Sequence, residues 1–466
     1  MSTLPTWTAD DKPLLYVLDT SFNIIRIEES FSSLVWTERY QECGDFVLDI
    51  PLNAANFQVY KRGNYVMFED SDESMIVESI EINETFEEPT LEVSGRTLTS
   101  ILERRVNASK VFDLNAGKIA YTGDFGTVVS QIVKDEITEP YMEYHQWWHI
   151  ENIDDDNDGD VDRKEEQPGR GGEGEYEWLK RVKMDASYRK IPNFIHQNSV
   201  FGVTVDKRYD EVKSVYDLMV NFAKKTVTGF KIVFDENHNF VFKTYQGVNR
   251  TSQQNIEDPM IFSFDMDNVS YVNYLEDHGN YRNVALAYTT DEKDTNKVAQ
   301  EVSESGQEAD PNSVTDESTY IWVANPNDKN PNAYVSGLDR REVAMSTNAS
   351  NDSSSEANGD GTSTEMVSLA EKMEIAAEDE FESEDYDIVR TTEGSIDSLV
   401  RYRFNEDYFL GDTVEYYSPL GIHVTSLIDE VVRSYDQEGY IVTPNFKTMD
   451  DYDYGTEGDP DEDDTE

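Results

Sequence analysis

The feature that most restricts this chain is the alternation of apolar and polar residues between Leu34 and Arg105. Phe46, Leu48 and Ile50 recur at every second position, as do Tyr65 and Met67, Met75 and Val77, Ile80 and Ile82, and Leu91 and Val93. A period of two puts one set of side chains on one face of a strand, so the pattern predicts half-buried antiparallel strands. Reversals fall at Gly44-Asp45, Arg62-Gly63-Asn64, Asp70 to Glu73 and Glu87-Glu88-Pro89, where residue types that favour turns cluster. After Ser94-Gly95-Arg96 the spacing shifts toward 3.6, with Leu98, Ile101 and Leu102 on one face. The expectation is a compact β unit closed by a short helix.

The same reasoning organises the rest. Leu14 to Leu18 and Ile24 to Ile27, around a turn at Asp19 to Asn23, predict a hairpin feeding that unit. Val128 to Val133 predicts a helix, and residues 139–188 read as an insertion. Val215, Met219 and Phe222 have helical spacing, and Phe230 to Phe234 with Phe240 to Tyr245 flank an extended turn at Asp235 to Asn239. Phe262 to Phe264, Asn283 to Tyr288 and Tyr320 to Val323 are strand candidates. The segments 289–310 and 346–364 are too polar to offset their ordering entropy and read as loops. Thr362 to Glu365 offers a capping box for a helix with Leu369, Met373 and Ala377 on its apolar face. Leu399 to Phe404, Thr413 to Tyr417, Ile422 to Val432 and Tyr440 to Val442 predict a last β unit, shaped as a small barrel or sandwich.

At 466 residues, with 37% hydrophobic and 12% aromatic side chains, the chain can build several packed units. The predicted division is 1–105, a β-barrel-like domain; 106–190, a connecting region with the insertion; 191–290, a helix with a β-hairpin; 291–390, polar loops and a helix; 391–447, a second barrel-like segment; and 448–466, an acidic tail. The fold class is α+β, mainly β.

Asp and Glu number 96 against 39 Lys and Arg, a formal net charge of −57. Such an excess strains a compact state unless divalent cations bind or salt shortens the screening length to about 3 Å near 1 M. A saline medium is the favoured relief, which points to a halophilic host. No basic stripe exists to displace phosphate counterions, so a broad duplex-binding surface is disfavoured. Cys43 is the single cysteine, excluding an intrachain disulfide and predicting a small core hydrophobe. No signal peptide is indicated at the N-terminus, and no apolar run reaches the roughly 20 residues of a membrane helix.

The sharpest chemical motif lies in the insertion. Asp154, Asp156, Asp158, Gly159, Asp160, Asp162 and Glu165 match a twelve-position calcium loop. Calcium takes six to eight oxygens at roughly 2.3–2.6 Å, and alternate carboxylates around a glycine turn supply them, with Asp160 giving its carbonyl and Glu165 a bidentate clamp. A solvated acidic run is the bland alternative. Gln167-Pro168-Gly169 stops any exit helix, so a paired-helix calcium domain is not expected. His145 and His149 are four apart, but Gln146 stands where a zinc protease needs its glutamate. Trp147 and Trp148 are candidates for a partner contact. Gly169 to Gly174 lacks the strand, the Lys-Ser or Lys-Thr and the helix of a phosphate loop, and reads as a connector. No Gly-x-Ser-x-Gly elbow is present, and no enzymatic site is expected.

Trp36 to Tyr40 with Gly44-Asp45-Phe46, Gly63-Asn64-Tyr65 and Ser94 to Leu98 resemble the N-terminal region of siphovirus tail-hub proteins. The likeness returns at Arg189 to Phe194, Gly337 to Glu342, Tyr408 to Asp412, Glu438 to Tyr440 and Pro444 to Phe446, in collinear order over most of the chain. The resemblance implies a virion protein assembled in the host cytoplasm, and a homotrimer at the distal tail tip. Two tube-like barrels per subunit would make a ring of six. Its partners would be the distal tail protein, the tape-measure protein and a tip spike or fibre, with DNA only in transit. The chain stops just after Phe446, so wall digestion and host recognition are expected of other proteins. The main rival is a calcium-dependent surface adhesion protein of a halophile, which would need a signal peptide; a second is a hydrolase on a β scaffold, for which the sequence offers no site spacing.

Overall fold

The computed structural model describes residues 13–69, 71–84, 89–111, 118–153, 163–169, 177–209, 211–269, 271–289, 320–326, 337–347, 369–381, 386–395, 402–417, 423–437 and 439–449. The first unit contains β1 (Leu15–Leu18), β2 (Ile24–Glu28), β3 (Ser33–Arg39), β4 (Asp45–Pro51), α1 (Ala54–Val59), β5 (Tyr65–Phe68), β6 (Ser74–Asn83) and β7 (Thr90–Thr97). Its strands run β3-β4-β7-β6-β5-β1-β2, each pair antiparallel. The alternation in the sequence becomes alternation of burial. Phe46, Leu48 and Ile50 of β4 are fully buried and join Trp36, Val66 and Leu91 in one apolar cluster. Each such side chain contributes about 1.5–3 kcal/mol. A bulge between Val77 and Ser79 lets β6 bend around this core.

A 3-10 helix, Leu98–Arg104, stands where a short helix is expected and packs Leu98 and Ile101 into a second core. That core also takes β8 (Ile119–Asp124) and α2 (Phe125–Val133), whose N-terminal amides at Gly126 and Thr127 donate to Asp124. The predicted insertion is structured: β9 (Tyr141–Ile153), β10 (Arg163–Pro168) and β11 (Glu177–Asp185) form an antiparallel sheet in the order β10-β9-β11. Beyond it come β12 (Phe194–His196), β13 (Thr204–Tyr209), α3 (Val215–Thr226), β14 (Gly229–Phe234) and β15 (Phe240–Tyr245). The expected helix and hairpin are these last three. Ser214 caps α3 by accepting from the Asp217 amide, and Phe222, Phe230 and Phe242 close the second core.

The remaining elements are β16 (Ile261–Ser263), β17 (Tyr271–Asp277), β18 (Val284–Thr289), β19 (Tyr320–Ala324), β20 (Glu342–Thr347), α4 (Leu369–Phe381), β21 (Val389–Ser395), β22 (Thr413–Tyr417), β23 (His423–Asp436) and β24 (Gly439–Thr448). The order β19-β18-β20 makes a small sheet under α4, with Leu369, Met373 and Ala377 facing it as the periodicity predicts. Leu399 to Phe404 does not form the expected strand over its described part. Phe404 makes only a bridge to Tyr408, because the chain turns through Asn405 at φ 65°.

Two separate barrels are not what the ladders form. β23 pairs with β3, so the first and last units are continuous in one 13-stranded sheet, and neither closes among the described residues. The reason is edge occupancy. The edge of β3 that would have to meet β1 or β2 to close a barrel is taken by β23.

Candidate functional site

Among the described residues, a tightly constrained place is the seam between β3 and β23. Over Leu427 to His423, one edge of β23 pairs with β22; over Glu430 to Tyr435 the same edge pairs with β3. The change of partner occurs at a bulge between Ile428 and Glu430. There the Tyr40 amide donates to the Asp429 carbonyl at 2.8 Å, the Gly411 amide to Ile428 at 2.8 Å, and the Ile428 amide to Asp412 at 2.9 Å.

Tyr40 has no exposed surface and its ring lies between two glycines. A Cβ on Gly411 would fall 2.3 Å from the ring and one on Gly229 2.4 Å, and Gly411 also holds φ +89°. The Tyr40 hydroxyl donates to the Val227 carbonyl and accepts from the Gly247 amide, each at 3.2 Å. Burial pushes this phenol up to about 12, so it stays a donor. Asp412, also buried, accepts from Arg250 Nε at 2.7 Å and from the Val248 amide at 2.8 Å. The segment 227–250 is thereby clasped to both β units. Two motifs that carry the family resemblance, Trp36 to Tyr40 and Tyr408 to Asp412, meet here although some 370 residues separate Tyr40 from Gly411.

Beside Tyr40 the seam buries charge. Glu38 of β3 pairs with Arg433 of β23 and accepts from the Trp36 indole at 3.1 Å. Arg433 is completely buried and lies over the rings of Phe68 and Phe404. Glu73 is buried nearby. Desolvation first, then the Glu38 carboxylate, pushes its acid up to about 8, against weaker attraction from Lys231 and Arg433. These side chains join β3, β14, β23 and the start of β6. Removing one partner of such a buried pair strands the other in a medium that solvates it poorly. Sequence reasoning missed Glu38, Glu73 and Arg433; the only local signal is a charge at an inward position of an alternating strand.

Alongside lies a cleft of about 520 Å³ lined by Arg39, Glu42, Lys224, Asp429 and Lys447. Arg39 is held by Asp45 and Glu430 at 2.5 Å each, and Lys224 by Glu42 at 3.0 Å. Burial raises the Asp429 acid. Two of the cations in the cleft wall, Arg39 and Lys224, are thus neutralised by carboxylates, an arrangement suited to holding strands in register. Cys43 is buried as expected, its thiol pushed up to about 12 by desolvation.

The β9–β11 sheet is the second candidate. It joins the body at its base, where the Ala186 amide donates to Pro140 and Arg189 pairs with buried Glu136 at 2.7 Å. Of the predicted calcium ligands, Asp154, Asp156, Asp158, Asp160 and Asp162 lie outside the described residues. Glu165 lies in β10 opposite Glu151, two pairs below the rung formed by Ile153 and Arg163. Among the described residues, no three His, Cys, Asp or Glu side chains are grouped to hold a metal. His145 and His149 fall on one strand, four residues apart, which sets their backbones roughly 13 Å apart at the rise of an extended chain. His149 Nδ1 lies 2.8 Å from the Gly169 carbonyl. The connector 170–174 is outside the described residues. No helix among the described residues is long and apolar enough to cross a membrane.

Residues 14–446 match the model of a family described as siphovirus ReqiPepy6 Gp37-like protein. No curated protein sequence matches the chain. Among solved structures, a 43 kDa tail protein of prophage MuSo2 from Shewanella oneidensis is similar at 11% identity and a TM-score of 0.45, over 94% of this chain and 98% of that one. A tail protein from Neisseria meningitidis MC58 is similar at 8% identity and 0.44, over 94% and 97%. Prophage tail protein gp18 from Listeria monocytogenes EGD-e gives 12% and 0.35, over 93% and 94%. These structural likenesses are loose, and the family match carries the assignment.

Proposed function

This chain belongs to the siphovirus ReqiPepy6 Gp37-like family and is a structural component of a viral tail, and we propose that it is the trimeric hub at the distal tip. The observation that carries this reading is the β3–β23 ladder, which lays two curved β units edge to edge within one chain. Three such chains supply the six units that continue a six-fold tube. The clasp at Tyr40, Gly411 and Asp412 would fix the angle between the two units, as a ring with a set number of places requires. The hub would join the distal tail protein, the tape-measure protein and a spike or fibre, without an enzymatic site of its own. With a net charge of −57 an acidic lumen would let DNA pass without sticking. Imaging and mass photometry of the purified chain in molar salt test it. Three-fold rings with a central opening are expected; a monomer at every salt and protein concentration overturns it.

Calcium belongs to the same proposal. The donors at Asp154 to Glu165 are all oxygen, which suits a hard cation, and the Ile153–Arg163 rung brings the ends of the segment together. Calorimetric titration should give one calcium per chain, lost in the double variant D156N/D158N. Unchanged binding in that variant removes the assignment.

A further inference from the structure

The unit of β18, β19, β20 and α4 is carried at the edge of the large sheet. β17 leads into it and β21 leads out, and the last rung they share is Asp277 with Val389. Its core is its own. The buried members of its apolar cluster all lie between Ala285 and Phe381, and among the described residues none of the other three clusters takes a side chain from that span. Charge, by contrast, ties α4 to the body. Glu371, Glu374 and Glu378 recur at helical spacing and converge on Arg208 of β13, at 3.3, 3.8 and 3.3 Å. Lys118, just before β8, pairs with Glu371, and Lys213 pairs with Asp379 at 2.6 Å. Ile375 falls between Glu371 and Glu378 on this face; it is fully buried and joins none of the four clusters.

We propose that this unit is a hinged module, latched to the body by these ion pairs and released from β13 when they are screened or reversed. Arg208, Glu371 and Glu378 are each about a third exposed, so solvent ions reach the pairs. At molar salt the screening length shrinks to roughly 3 Å, the separation of the paired atoms themselves. One pair of this exposure shifts an equilibrium about two-fold, so five acting together favour the docked position by on the order of thirty-fold. That margin sets a resting state and can still be lost. The hinge lies just past the Asp277 rung, where the chain runs through His278-Gly279-Asn280 between two strands. Salt acts the other way on the rest of the chain, because it relieves the self-repulsion of a net charge of −57. Release of this unit at high salt is therefore distinct from unfolding. The latch goes beyond the hub reading and does not depend on it.

Thiol labelling of the full chain tests it, with the buried Cys43 replaced by Ala so that one added cysteine reports at a time. Ile375→Cys places the thiol on the latched face, and Met373→Cys places it in the unit's own core. With a maleimide in excess, the labelling rate follows the fraction of time each thiol is uncovered. The thiol at position 375 should react about ten-fold faster or more in molar sodium chloride than in dilute buffer, while the rate at position 373 does not rise. The triple change K118E/R208E/K213E should raise the rate at 375 about thirty-fold or more in dilute buffer, since reversal removes the pairs and adds repulsion. A position 375 as protected as 373 at every salt concentration overturns the latch. Two rates that rise together overturn it as well, because they report unfolding of the unit. The salt series is read with the native ion pairs in place, so a triple variant that fails to fold does not spare the proposal.

Discussion

β23 and β9 are nearly the same length, 14 and 13 residues, and each sits inside its sheet with a ladder on both edges. They differ in what lies against their faces. β23 sends Leu427, Ile428 and Val431 into an apolar cluster and Arg433 into a buried ion pair, whereas the described side chains of β9, Met142 and Trp148 among them, join none of the four clusters and are only half-buried. Hydrogen-bonded ladders exchange bonds with water and bonds within the chain almost evenly, so they align strands without holding sheets onto a body. Covered faces do that. The seam is therefore set by tertiary packing, and the β9–β11 sheet is aligned chiefly by its own ladders.

Four changes sharpen or break that contrast. Arg433→Met removes the partner of Glu38 at the seam and should cost about 3–5 kcal/mol in urea unfolding, the scale for a stranded buried charge. A loss below about 1 kcal/mol would show that the seam does not depend on the pair. Gly411→Ala should cost about 2–4 kcal/mol, since the methyl meets the Tyr40 ring and the backbone holds a positive φ. A double variant with Tyr40→Ala that costs clearly less than the sum of the two single changes would confirm the clash.

Glu73 makes the seam sensitive to pH. Its folded-state acid lies near 8, above the ordinary carboxylate value, so the folded chain holds a proton that the unfolded chain releases. Stability from this group is full below about pH 4.5 and declines as pH rises to about 8, a loss on the order of 3 kcal/mol. Glu73→Gln cannot ionise and should flatten that decline; an unchanged difference between pH 5 and pH 8 would exclude the effect. Trp148→Ala, in contrast, should move global unfolding by less than about 1 kcal/mol, because Trp148 is only half-buried and lies outside the four apolar clusters. A larger loss would mean that its sheet is part of the body after all.

Much of the fold was legible. Alternation located β4 to β7, turn residues located the hairpins, and helical spacing located α3 and α4. The insertion at 139–188 was harder, because Tyr, His, Trp and Glu in succession alternate poorly by hydropathy while still forming β9. The family was legible too, in short motifs whose collinear order matched the region 14–446. The seam itself was not. Tyr40 and Gly411, or Glu38 and Arg433, show nothing of each other locally, since neither a charge nor a glycine names its partner.

The sequence by itself determined which residues extend, which face of each strand turns inward and how acidic the molecule is, because these follow from neighbours two to four positions apart. Only the tertiary structure decided that β3 pairs with β23 rather than closing on its own unit. Strand edges are chemically alike, and the choice among them depends on a bulge, a buried ring and an ion pair assembled from distant parts of the chain.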